Sequence, residues 1–246
     1  MAPRENQTSI VNPSLFSRLA DGGVIKCRLY RKTNLLEKAY PTFYLHNETD
    51  DAFILAARKR KKSKYVNYLI STSPDDLSKD SKHYVAKLKA NFQRTTFVLM
   101  DARGYQKGTE NKGLKELACV NYSKSALPRE MKVSIPSLTI DPETEDVSKD
   151  ILADTEAGNT SRLQFLRNKT PRWNEATQSH CLNFGGRVTM PSIKNFQLIR
   201  DGDDTNIIMQ FGRCGPDNFT LDARYPLTVV EAFAIALTTF DAYDST

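Results

Sequence analysis

Catalytic and metal-binding signatures are what this chain most conspicuously lacks. Its three histidines, His46, His83 and His180, stand far apart without HExxH or other metal-ligand spacing. There is no GxSxG, P-loop or GxGxxG, and none of the carboxylates sits in a motif that nominates a general acid or base. No catalytic residue, metal or cofactor is therefore expected. The four cysteines, Cys27, Cys119, Cys181 and Cys214, are widely separated and share no CxxC spacing, and the N-terminus lacks the apolar core of a signal peptide. A reducing cytosolic or nuclear compartment is expected. No apolar run reaches the roughly 20 residues of a bilayer span, so any membrane association should be peripheral.

Positive charge is present in excess, and unevenly. The formal charge is +6, yet residues 141–156 carry seven acids against Lys149 and sum to −6, which leaves +12 on the remainder. A body this basic is drawn to polyanions, whether a phosphoinositide-bearing membrane or nucleic acid. The acidic stretch reads as a solvated loop inside the domain, because β-like runs continue on both sides. Residues 1–20 read as a polar tail and residues 21–246 as one domain.

Beyond the tail, short runs with the two-residue period of a half-wet sheet follow one another. They cover residues 24–30, 42–46, 52–57, 66–71, 96–101, 116–122, 131–135, 162–166, 180–184, 187–190, 194–199, 206–211 and 218–222. Gly185-Gly186 predicts a two-residue hairpin, and Ser73-Pro74-Asp75-Asp76 has the composition of a short helix start near 74–80. Antiparallel pairing is the natural arrangement.

Residues 228–240, TVVEAFAIALTTF, are apolar all round, with Glu231 the only charge. Three alanines favour helix over strand, and Thr228 with Glu231 has capping-box spacing. A helix of this kind belongs in an interior. A barrel of about twelve strands leaves more lumen than side chains fill, and this is the one segment suited to plug it. The expected fold is mainly β with α, a closed antiparallel barrel of about twelve strands around a central hydrophobic C-terminal helix.

The densest charge is Arg58-Lys59-Arg60-Lys61-Lys62-Ser63-Lys64. It reads as an edge-protecting solvated hairpin, a nuclear localisation run, or an attractor of an anionic leaflet or of nucleic-acid phosphates. Lys87-Leu88-Lys89 divides two ways. In a helix the lysines point about 200° apart, whereas in a strand both share one face, with Leu88 turned inward. Only the extended form makes a phosphate clamp, yet Tyr84, Val85, Leu88 and Phe92 have helical spacing.

Several stretches together resemble the C-terminal domain of the Tubby and Tubby-like proteins: YPTFYLH from Tyr40, FILAARKRKKSKYVNYLIS from Phe53, DDLSKDSKHYVAKLKANF from Asp75, PREMKVSIP from Pro128, NKTPRWNEATQSHCLNFGGRVTMPSIKNFQLI from Asn168, IIMQFGR from Ile207 and PLTVVEAFAIALTTFD from Pro226. The resemblance covers residues 22–241. It implies a closed twelve-stranded barrel threaded by the hydrophobic C-terminal helix.

It also implies a non-catalytic module that binds phosphatidylinositol 4,5-bisphosphate at the plasma membrane, with roles among relatives in ciliary trafficking and, by proposal, in transcription as DNA-binding regulators. The headgroup residues carried over are Asn67, Lys87 and Lys89, the last standing where the family's KLR motif has arginine. A further family arginine falls on Leu114, with Lys112 and Lys115 close by. The expectation is a monomeric, cytoplasmic, peripheral plasma-membrane protein, with nucleus or cilium as alternative addresses. Its partners would be an anionic phosphoinositide membrane and trafficking or signalling proteins, nucleic acid being the rival. Only about 20 residues precede the barrel, so the F-box or long N-terminal region of relatives is not expected.

Overall fold

The computed structural model describes residues 15–33, 40–61, 63, 65–103, 114–123, 129–137, 150–175 and 178–243. In chain order the elements are β1 (Val24–Lys32), β2 (Thr42–Asn47), β3 (Phe53–Lys59), β4 (Asn67–Ser71), β5 (Tyr84–Ala90), β6 (Thr96–Asp101), β7 (Glu116–Tyr122), β8 (Met131–Pro136), α1 (Ile151–Ala157), β9 (Leu163–Asn168), β10 (Arg172–Asn174), β11 (Ser179–Cys181), β12 (Phe196–Arg200), β13 (Ile207–Arg213), β14 (Asn218–Arg224) and α2 (Val229–Thr238). Alternation decides their faces: Cys27 and Leu29 of β1, Phe43 and Leu45 of β2, and Tyr68 and Ile70 of β4 all turn into one core.

Each strand except β10 and β11 joins a closed antiparallel barrel of twelve strands, sealed where β1 pairs β14 with Val24 opposite Arg224. The short β10–β11 ribbon lies outside it. Closure leaves no open sheet edge in the barrel, so the polar backbone is satisfied all the way round.

The lumen is filled by α2. Its start is the capping box: Glu231 N donates to Thr228 Oγ1 at 3.2 Å, and Thr228 N donates to Glu231 Oε2 at 2.8 Å. All ten residues from Val229 to Thr238 are buried, as a helix walled on every side requires. Burial raises the Glu231 carboxyl above its usual range, against the lowering effect of its bonds with Thr228. At the other end Thr238 Oγ1 and Thr239 Oγ1 donate to Ile235 O and Ala236 O, which satisfies two terminal carbonyls. Phe240 then packs among Phe43, Phe211 and Phe219.

One open alternative is resolved and four expectations change. Residues 84–90 are a strand. The segment 73–80 stays non-helical: Ser73 Oγ accepts from Asp76 N and Asp76 Oδ1 accepts from Ser78 N, and these local bonds close turns that the chain does not continue as helix. Gly185-Gly186 makes a turn with φ of 58° and 77° but no hairpin, because residues 187–190 leave the strand conformation and Val188 packs on Gly212. A Cβ at Gly212 would meet Val188 at 2.3 Å, so glycine there makes the close approach possible.

The acidic stretch is partly helical rather than a loop. Helix α1 is built on its residues 151–157, with residues 141–149 outside the described residues. Asp150 offers no side-chain cap; Glu116 of β7 reaches over and accepts from Leu152 N at 2.8 Å. Ile151 seals the contact among Val98, Cys119 and Leu163 on the barrel's outer wall. The expected tail also ends early. Leu15 is buried, and Arg18 bridges the backbone of Thr228 while donating to Pro136 O at 3.0 Å.

Candidate functional site

Strands β4 and β5 pair so that Asn67 faces Lys89 and Leu69 faces Lys87. Tyr68, Ile70, Ala86 and Leu88 belong to the lumen core, which puts Asn67, Leu69, Lys87 and Lys89 on the outer wall. The extended alternative for Lys87-Leu88-Lys89 is therefore the observed one, with the two lysines about 7 Å apart along one face. A register shift between Ile70 and Ser71 makes Tyr84 and Val85 depart from simple alternation.

The segment between β4 and β5 folds back over this wall. Leu77 and Tyr84 pack with Ala56, Leu69 and Ala102 in a small outer core. Arg58 clamps the layer by donating to Leu77 O at 3.1 Å. Lys87 is thereby 7% exposed. Burial first, then the charges of Lys89, Lys79 and Arg60, push its ammonium down to about 8. Three further cations thus oppose the charge on Lys87, and an incoming anion would offset both their repulsion and its burial.

Lys89 stays exposed, its Nζ 5.9 Å from the centroid of the Tyr65 ring. Asn67 is 9% exposed and its Oδ1 accepts no hydrogen bond. A buried amide oxygen left without a donor costs about 1–3 kcal/mol. An inositol-like ligand offers both missing partners, hydroxyls for Asn67 and phosphates for the lysines.

The basic run does not form one uniform surface. Arg58, Arg60 and Lys61 are exposed, and Arg60 N donates to Asn67 O at 2.9 Å, which ties the run to the wall. Lys59, expected in the same patch, turns inward instead. It pairs with Tyr68, a lumen residue, and its Nζ meets Asp241 Oδ1 at 2.6 Å. Tyr68 donates to the other oxygen of the same carboxylate. Burial, reinforced by Asp241, holds the Tyr68 hydroxyl well above the usual phenol range, so it remains the donor.

Lys62, Lys64 and Lys112 lie outside the described residues. Lys115 holds the β6 edge through its carbonyl, which accepts from Asp101 N at 2.8 Å. It stands beside Glu116, which pairs with Met100, itself opposite Lys87; the row spans two strand spacings, about 10 Å. Leu114, onto which the resemblance carries a family arginine, precedes Lys115 in the chain.

Two contributors were not nominated from the sequence. Lys79 belongs to a stretch quoted for the resemblance, but no local pattern shows that the segment folds back. Asp241 is 182 positions from Lys59, and nothing local joins them. Of the four wall residues Asn67, Leu69, Lys87 and Lys89, only Lys89 is exposed. A cleft of about 850 Å³ elsewhere, between Tyr122, Met131, Phe184 and Met190, includes none of them. All four cysteines are free thiols, and burial pushes Cys27 and Cys119 up to about 12, so neither is a reactive nucleophile near neutrality.

Comparison with known proteins agrees with this architecture. A sequence profile described as the Tub family matches residues 15–242. "Protein king tubby" of Anopheles gambiae is 43% identical over 238 residues, covering 90% of this chain and 52% of that protein. "Protein king tubby 1" of Aedes aegypti is 44% identical over 233 residues, with 89% and 56% covered. For "Protein king tubby" of Drosophila sechellia the figures are 42% over 234 residues, 89% and 52%. The chain thus spans about half the length of these relatives. With the profile running from Leu15 to Ala242 and the barrel threaded by its own C-terminal helix, the chain belongs to the Tub family.

Proposed function

We propose that this chain is a non-enzymatic, peripheral membrane module that binds the phosphatidylinositol 4,5-bisphosphate headgroup on the outer wall of β4 and β5. The observation that carries the reading is the pairing of Asn67 with Lys89, with Lys87 one side chain along on the same face and the Asn67 Oδ1 lacking a donor. In this reading Lys87 and Lys89 hold ring phosphates and Asn67 accepts from a ring hydroxyl. Arg58, Arg60, Lys61 and Lys79 supply the wider field, with Lys115 at the margin. No described helix is long and apolar enough to cross a membrane, which fits attachment by headgroup capture. Links to trafficking or signalling proteins belong to the same proposal, the lipid site serving as their membrane address.

Vesicle flotation tests it. Phosphatidylcholine vesicles carrying the bisphosphate should float the protein better than vesicles of equal charge made with phosphatidylserine. Lys87→Ala/Lys89→Ala should weaken that preference more than tenfold, on the order of two charge-assisted contacts. Equal binding to both vesicle types, unchanged in the double variant, would reduce the interaction to bulk electrostatics. Tighter, sequence-selective retention on duplex DNA would instead favour the nucleic-acid reading.

A further inference from the structure

One end of the barrel, where α2 runs out, gathers exposed apolar side chains next to exposed cations. Phe92, at the β5–β6 turn, is 76% exposed; Tyr65, just before β4, is 39% exposed, and Tyr243, just past α2, 44%. All three sit on the same rim. Phe92 and Tyr243 line one surface cleft of about 640 Å³, together with Arg94 and Asp241. Tyr243 N donates to Arg94 O at 3.0 Å, and Tyr65 lies under the Lys89 ammonium. Ala90 N donates to Val66 O at 2.9 Å, which fixes the Phe92 turn beside the Tyr65 segment.

The turn is built to hold Phe92 outward. Asn91 Oδ1 accepts from Thr95 N at 2.9 Å and from Thr96 N at 3.2 Å, and Asn91 Nδ2 donates to Thr95 Oγ1 at 3.0 Å. Arg94 takes a φ of 57°, a left-handed conformation that an arginine adopts only when its surroundings impose it. A turn tied by three side-chain bonds presents its phenylalanine without further ordering cost.

We propose that Phe92, flanked by Tyr65 and Tyr243, enters the interfacial layer of an anionic bilayer, with Lys89 and Arg94 beside it on the lipid phosphates. The charge around the tip selects this partner. Arg60, Lys61, Lys89 and Arg94 are exposed at this end, while the Asp241 carboxylate is engaged by Lys59 and Tyr68. Aromatic rings beside cations are the composition that settles at the headgroup level of membranes. Phe92 follows Lys89 by three residues, so one docking pose brings both the tip and the headgroup wall to the same leaflet. The inference rests on the membrane reading above and adds the pose and the apolar contact.

Vesicles of phosphatidylcholine, phosphatidylserine and phosphatidylinositol 4,5-bisphosphate test it, with soluble inositol trisphosphate as a parallel ligand. Phe92→Ser, at an exposed position, should weaken vesicle binding about tenfold, the order expected for losing part of a buried phenyl ring. The loss should persist at high salt, which screens the cations but not the ring. Affinity for the soluble headgroup should not change. In a Trp173→Phe background, Phe92→Trp should shift its fluorescence to the blue on adding vesicles. Vesicle binding by Phe92→Ser equal to the parent's, or an unshifted Phe92→Trp emission on bound vesicles, overturns the tip while leaving the headgroup wall standing. Vesicle binding that depends on Phe92 without any affinity for the soluble headgroup overturns the wall and keeps the tip, and absence of vesicle binding overturns both.

Discussion

Lys59 and Asp241 form a 2.6 Å ion pair that fastens the end of β3 to the residue just past the plug helix. The aspartate side chain is 9% exposed and also accepts from Tyr68, so it is satisfied only while both partners stay in place. Removing one member of such a pair leaves a charge without compensation. Lys59→Met should lower stability by about 3 kcal/mol. Lys59→Met/Asp241→Asn should recover much of that loss, because the neutral amide still accepts from Tyr68. Urea unfolding of the two variants measures it, and a double variant no more stable than the single would refute the pairing as the cause.

Phe233 is wholly buried, at the middle of a helix whose ten residues all face the lumen. Phe233→Asp places a carboxylate where neither water nor a partner reaches it, at a cost beyond the few kcal/mol that hold most domains. The expected outcome is loss of the cooperative thermal transition for the entire barrel. A near-parental melt would contradict the central position of α2. Phe233→Leu, which keeps the burial, should melt as one unit at a reduced temperature, with a loss of about 1–2 kcal/mol.

Under the proposed headgroup reading, Lys87 should link pH to affinity. Its ammonium titrates at about 8 because of burial and then its cationic neighbours, and a phosphate placed beside it restores the charged form. Below pH 8 the lysine is already charged and binding proceeds at full strength. Above that pH the free protein loses the proton and must recover it on binding, so affinity falls as pH rises. Between pH 7 and 9 the fall should be about tenfold, the weight of one proton over that interval. Lys87→Arg keeps its charge throughout, and it reports any change due to the lipid phosphates themselves. Parallel pH profiles for the parent and Lys87→Arg would remove Lys87 from the contact.

Legibility in the sequence followed how local the cause was. Helix α2 could be read because its cap, its alanines and its unbroken apolar run lie within a dozen residues, and β1 because polar and apolar side chains alternate along it. Strand β5 could not, since Tyr84, Val85, Leu88 and Phe92 imitate helical spacing. Its register shift places Tyr84 in the outer core and Val85 in the lumen core, a split decided by pairing with β4. Helix α1 was hidden for a similar reason, its cap coming from Glu116 on another strand. At the candidate site Asn67, Lys87 and Lys89 could be named from the resemblance, and their common face followed from one strand assignment. The convergence of Lys79 and the inward turn of Lys59 required the folded chain.

The remaining test concerns Lys89, where the family motif has arginine. Lys89 sits at the exposed end of the pair with Asn67, free to swing toward a headgroup but able to offer only a compact ammonium. A guanidinium at the same position would present two parallel donors to one phosphate. Lys89→Arg should therefore tighten binding to phosphatidylinositol 4,5-bisphosphate by about three- to tenfold, the order of one added charge-assisted hydrogen bond. Binding to phosphatidylserine vesicles of equal charge should change little, because diffuse attraction depends on the number of cations and not on their shape. Selectivity, read as the ratio of the two affinities, should rise by the same factor. An equal gain on both lipids would mean that Lys89 contributes only to the general field and makes no directed contact with the headgroup.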